Sequence, residues 1–143
     1  MCEYSHLNTV DKNGGIHHFI YAPPEEDRHF GANPDQASAV FIYRIKTAIA
    51  DEHSFEFSVQ DISRDSFRVV MMENHLRKEY TSKGIPEAMI ILLARTCGKT
   101  VTSSSNLNGA EEFRTCPASK IWDRLVAKGL ARYSTEEDRY YAI

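Results

Sequence analysis

The stretch Thr81-Ser82-Lys83-Gly84-Ile85-Pro86-Glu87 combines residue types that hold an anion at the start of a helix. Gly84 lets backbone approach a bound group closely, Lys83 adds a charge-assisted contact, and Pro86 suits a first helical position. Free N–H groups and the positive dipole end of such a helix favour a phosphate or carboxylate, and Glu87 complements the same end. Lys83, Gly84, Ile85 and Glu87 are therefore the candidate ligand-binding residues, with a small phosphate-bearing molecule as partner. Pro86 also removes one donor from this cradle.

Other residues carry chemistry more weakly. Cys116 precedes Pro117 at a predicted helix start, where the dipole can stabilise a thiolate. A nucleophile there needs a His base, and no spacing singles one out from His6, His17, His18, His29, His53 and His75; a capping or buried thiol is the simpler reading. Glu73 ends the apolar segment 67–72 and is a candidate base. Ser103, Ser104, Ser105 and Asn106 can line a pocket, although such loop residues usually satisfy local backbone. His17, His18 and His29 with Glu25 and Glu26 have the donor types of a zinc site, but neighbours on a strand point to opposite faces, so no metal is expected. None of these assigns a catalytic residue.

The elements that must position such groups belong to an ordinary globular chain. Its 143 residues, 42% hydrophobic and 26% charged, fit one domain over 1–143. A net charge of −3 gives no general attraction to nucleic acid or anionic lipid. The longest apolar run, 88–94, is far short of the roughly 20 residues that span a bilayer, and no basic region followed by an apolar stretch opens the chain. Three cysteines without a CxxC pair point to reduced thiols. These features together lead us to expect a cytoplasmic protein without a membrane partner; a homo-oligomer is left open.

Along the chain, 1–13 reads as polar and irregular. Gly14-Gly15 marks a turn before a first strand over 16–22, and Pro23-Pro24 leads into a solvated connection at 25–28. Asn33, Pro34 and Gln36 have the chemistry of a helix start, and Ala37, Val40, Phe41, Ile45, Ala48 and Ile49 recur at helical spacing, which predicts a helix to about Asp51. Phe55, Phe57 and Val59 alternate with polar residues, which predicts an antiparallel hairpin over 54–73 with Phe67 to Met72 as its more buried arm. A helix apolar nearly all round follows from Pro86 to about Cys97, then a strand over 99–103. Pro117 opens another helix with an apolar stripe of Ile121, Trp122, Leu125 and Val126, capped by Gly129 and Leu130, before a closing hairpin at 131–143. Trp122 is expected to be buried and structural.

This order, with the motif at 81–86, resembles the GNAT acetyltransferase superfamily over about residues 54–143. The resemblance implies an α+β fold of three layers, with a mixed, mostly antiparallel sheet and packed helices. It also implies acetyl-coenzyme A as cofactor, bound through its pyrophosphate at the turn 81–87, and acyl transfer to an amine. Thr81 stands where the family has Arg or Gln, and Pro86 where it has a second Gly or Ala. Ala118, Ile121, Trp122, Leu125, Lys128, Gly129, Tyr140 and Tyr141 resemble its late helix and final hairpin. Trp122 occupies the position of a family Tyr that protonates the departing thiolate, and an indole has no useful acidity. Tyr133, Tyr140 and Tyr141 are the alternatives for that proton.

Residues 117–143 also resemble the recognition helix and wing of winged-helix DNA-binding proteins, since Lys120, Arg124 and Lys128 recur every four residues. Against DNA stand the long loop 103–116 and the acidic turn Glu136-Glu137-Asp138. A small interaction module without enzymatic activity is the remaining alternative.

Overall fold

A computed structural model describes residues 3–27, 39–107 and 112–143. The strands are β1 (Ser5–Val10), β2 (Ile16–Tyr21), β3 (Glu25–Asp27), β4 (Val40–Lys46), β5 (Phe55–Ser63), β6 (Ser66–Glu73), β7 (Thr100–Thr102), β8 (Ala131–Ser134) and β9 (Arg139–Ala142). Two helices, α1 (Ile85–Thr96) and α2 (Cys116–Ala127), fall before and after β7. All strands join one sheet in the order β1-β2-β4-β5-β6-β7-β9-β8, with β3 on β4 beside β2. Every pairing is antiparallel except β6 with β7. That parallel step needs a crossover, and α1 supplies it. The molecule is thus an α+β fold with a mixed, mostly antiparallel sheet.

The hairpin expected at 54–73 is present as β5 and β6, and Phe55, Phe57 and Val59 are buried as their alternation requires. β5 is the more buried arm, however: in β6 only Val69 is buried and Met71 is exposed, the reverse of the expected order. The hairpin register shifts between Ser58 and Val59: Ser58 faces Met71 while Val59 faces Val69, so Val70 is the extra residue of a bulge in β6. α1 buries Ile85, Met89, Ile90 and Leu93 and touches β1, β5, β7 and β9. α2 is capped by Thr115, whose Oγ1 accepts the Ala118 N–H at 3.2 Å. It ends in a Schellman motif, with Leu130 N–H on the Leu125 carbonyl at 2.9 Å and Gly129 N–H on Val126 at 3.0 Å. Trp122, 1% exposed, stacks on Tyr140 with ring centroids 5.8 Å apart.

Three further expectations need correction. The segment Val40–Lys46 is a strand, not part of a helix to Asp51, and the capping residues Asn33, Pro34 and Gln36 lie outside the described residues. Val40 and Ile45 are buried while Phe41, Ile42 and Tyr43 are half-buried, so β4 is apolar on both faces. A run buried on both faces loses the period-two signal and imitates a helix. Residues 5–10, read as irregular, form edge strand β1 with Leu7 and Thr9 turned inward. Glu25–Asp27, read as a solvated connection, pairs with β4 as β3.

Candidate functional site

The turn before α1 is built on Gly84, the N-cap residue, with φ of +80°. No side chain caps this helix start. Beneath it, the β1–β2 hairpin closes on the same turn: Thr9 Oγ1 donates to the Lys83 carbonyl, and the Val10 carbonyl lies against Gly84. A cavity of about 390 Å³ opens here, between the hairpin tip, the start of α1 and one face of α2. Lys83, Gly84 and Glu87 line it, as does Pro86, together with Lys12 from the hairpin and Lys120, Arg124 and Lys128 from α2. Ile85 points the other way and is fully buried in the core. Any contact it makes with a ligand is therefore through its backbone.

The charges in this cleft are unevenly paired. Glu87 accepts Arg124 Nε at 3.0 Å and its Nη2 at 2.5 Å. Asp11, also in the wall, accepts from the Asn13 N–H at 2.8 Å and the Gly15 N–H at 2.9 Å and meets His17 Nε2 at 2.8 Å. The His17 bond, with the two backbone donors, holds its carboxyl down to about 2. Lys12, Lys83, Lys120 and Lys128 make no ion pair among the described residues. Both acids of the wall are engaged while four ammonium groups are not, so the cleft favours anions.

A second cavity of about 240 Å³ adjoins the first, sharing Met72 and Ile121 as wall. It fills the wedge where β6 and β7 part. Their parallel pairing runs only from Ser66–Thr100 to Arg68–Thr102, after which Ser104 Oγ donates to the Val69 carbonyl at 3.2 Å. The chain from Ser103 turns instead to β9, with Ser103 N–H on the Tyr140 carbonyl at 3.0 Å. β6 continues to Glu73 on the far side of the gap, past the bulged Val70, and α2 closes the wedge with Ala118, Ile121 and Trp122. Glu73 is the only carboxylate among the residues lining this cavity, and its Oε1 accepts the His75 N–H at 2.6 Å. The adjacent His75 and Leu76 have φ of 54° and 57°, a strained pair for residues with a Cβ.

The other sequence candidates are placed elsewhere. None of Tyr133, Tyr140 and Tyr141 lines either cavity; their hydroxyls donate to Asp138, Asp123 and Glu137 respectively. Burial, then the Asp123 carboxylate, pushes Tyr140 up to about 12, the wrong direction for a proton donor to a thiolate. Cys116 is exposed as the first residue of α2. His17 and His18 engage separate partners, Asp11 and Asn8, and His29 lies outside the described residues.

Sequence reasoning missed the ionic network at the described parts of the segment after β7. Arg114, 7% exposed in its side chain, donates to the carbonyls of Ser104 at 2.7 Å and Asp138 at 2.9 Å, to Asp138 Oδ1 at 2.8 Å and to Ser119 Oγ at 2.8 Å. Glu112 meets Arg139 at 2.9 Å and Arg68 at 3.0 Å and accepts the Ser105 N–H at 2.7 Å. Of the serines, Ser103 Oγ donates to the neighbouring Ser104 carbonyl at 2.9 Å, as local satisfaction predicts, whereas Ser104 and Ser105 donate to the distant carbonyls of Val69 and Glu137. Only Ser104 also reaches the wedge.

The fold and the two adjacent cavities define an α+β domain with a basic cleft at a helix start beside a wedge between two parallel strands. No family model matches the chain, and neither the curated proteins nor the solved structures give a significant match. No described helix is long and apolar enough to cross a membrane.

Proposed function

We propose that this chain is an acyltransferase-like domain of three-layer GNAT type, which binds acetyl-coenzyme A or another phosphate-bearing ligand at the turn 81–87. One observation carries the reading: an anion-favouring cavity at the start of α1 stands beside a wedge between β6 and β7, the two sharing Met72 and Ile121 as wall. A long ligand with phosphates at one end and a reactive group at the other fits such a pair of chambers. The phosphates lie by Lys83 and Lys120, and the reactive group lies in the wedge beside Val70 and Glu73. The bulge takes Val70 out of the strand ladder at that wall, and Glu73 is the base this reading assigns to the acceptor. Trp122, buried against Tyr140, is structural in this scheme, so the leaving thiolate takes its proton from water.

The reading also accounts for α2 better than DNA binding does. Lys120, Arg124 and Lys128 line the cleft, and Arg124 is held by Glu87 of α1. All three are exposed, so what separates the readings is that Arg124 is committed to Glu87 and that the helix start of α1 shares their cleft.

Calorimetry with acetyl-coenzyme A on wild type, Lys83→Glu, Lys120→Glu and Pro86→Gly tests the proposal. Wild type is expected to bind weakly, each charge reversal to abolish binding, and Pro86→Gly to strengthen it by restoring an amide donor. Silence of both wild type and Pro86→Gly at millimolar ligand would overturn the acyltransferase-like reading and leave a non-enzymatic interaction module.

A further inference from the structure

The tip of the β1–β2 hairpin is an organised turn. Its strands pair over their full length, from Ser5–Tyr21 to Val10–Ile16. The Asp11 N–H bonds the Gly15 carbonyl at 2.9 Å, the Gly14 N–H bonds the Asp11 carbonyl at 3.0 Å, and the Asp11 carboxylate gathers Asn13, Gly15 and His17. The turn is then clamped to the segment that carries Lys83 by the Thr9 bond and by the contact of Val10 with Gly84. Lys12 is consequently displayed at a fixed place on the cavity rim, on an element far in sequence from the helix start that it faces.

This placement restricts what the cavity can hold. Lys12 comes from the hairpin, Lys83 from the turn before α1, and Lys120 and Lys128 from α2. Four like charges gathered from three elements repel one another, and the two carboxylates of the same wall are already committed to His17 and Arg124. The ammonium groups come from separate walls of a cavity of about 390 Å³, so a chain of phosphates can meet more of them than a single phosphate can. We propose that the hairpin turn is a ligand-binding element, and that the cavity takes a ligand bearing at least two phosphate groups, one at Lys83 and the start of α1 and another at Lys12. The inference deepens the acyltransferase-like reading and rests on it for the identity of the ligand, but the charge argument applies to any polyphosphate.

Calorimetry with tripolyphosphate, orthophosphate and acetyl-coenzyme A on wild type and Lys12→Gln separates the two. Lys12 is exposed on a turn, so this substitution leaves the fold intact, which a urea melt verifies. Loss of one charge-assisted contact is expected to weaken tripolyphosphate binding about tenfold while orthophosphate changes little. A tenfold loss with tripolyphosphate in a chain that ignores acetyl-coenzyme A upholds the polyphosphate site and overturns the acyltransferase-like reading. Acetyl-coenzyme A binding that is indifferent to Lys12→Gln, with tripolyphosphate equally indifferent or unbound, overturns the role of the hairpin and leaves the acyltransferase-like reading standing. If wild type binds none of the three ligands, both fall.

Discussion

The carbonyl oxygen of Val10 lies so close to Gly84 that a Cβ built on that glycine would stand 2.3 Å from it. Gly84 also has φ of +80°, a conformation that side chains resist. Two independent reasons therefore demand glycine: the shape of the turn and the close approach of β1.

Gly84→Ala is expected to destabilise the fold by about 3 kcal/mol, from roughly 1–2 kcal/mol of left-handed strain and the displacement of the hairpin. Equilibrium urea unfolding measures this, and a loss under about 1 kcal/mol would show that β1 yields without cost. The same geometry makes larger substitutions at Gly84 poor probes of a ligand, because they act on the fold first.

Trp122→Ala should cost about 3 to 5 kcal/mol, the usual range for a buried aromatic. The ring is fully enclosed and stacked on Tyr140, so both the cavity left behind and the lost ring contact contribute. An unchanged urea midpoint for this variant would contradict the burial.

Acid should expose the network around Asp138. The hydrogen bond from Tyr133, with contributions from Arg114 and the Asn106 N–H, lowers this carboxyl from 3.8 to about 2. A carboxyl whose pKa is depressed on folding stabilises the protein fully above its unfolded value and loses that contribution as pH falls through the folded one. Stability should therefore drop between pH 3.8 and about 2, and Asp138→Asn, which keeps an acceptor for Tyr133 but no charge, should flatten that part of the profile. Urea midpoints across this range decide it; an equal slope in both proteins would place the titration elsewhere, Asp11 being the next group to test.

Glu87→Gln should tighten anion binding severalfold. It removes the carboxylate nearest the start of α1 and frees Arg124, now held at 2.5 Å, to turn toward the cleft. Titration with tripolyphosphate would show this directly, and weaker binding in the variant would mean that Glu87 orients Arg124 for the ligand.

The parts of the fold that were legible in sequence are those with a local signal. Alternation at Phe55, Phe57 and Val59 and the glycine and proline punctuation around both helices each specify one kind of element. β4 was misread because its two apolar faces erase that alternation, and β1 because its inward Thr9 is polar and is satisfied by Lys83, 74 residues away. The site divides in the same way. The turn at 81–87 announces a helix start, whereas the wall contributed by Lys12 and α2 exists only once three distant segments meet. The pairing of Arg68 with Glu112 across 44 residues has no local trace at all.

The clamp between the hairpin and the turn before α1 also sets an order of events during synthesis. Residues 5–21 leave the ribosome well before Lys83 and Gly84, and at about 5–20 residues per second the hairpin waits for several seconds with Leu7, Thr9 and Phe19 uncovered. A two-stranded hairpin is marginal by itself, so it acquires its final register only when β4 and α1 arrive. The basic cleft is accordingly a late product of folding, and nascent chains halted before residue 84 should present an apolar face that binds chaperones instead of anions.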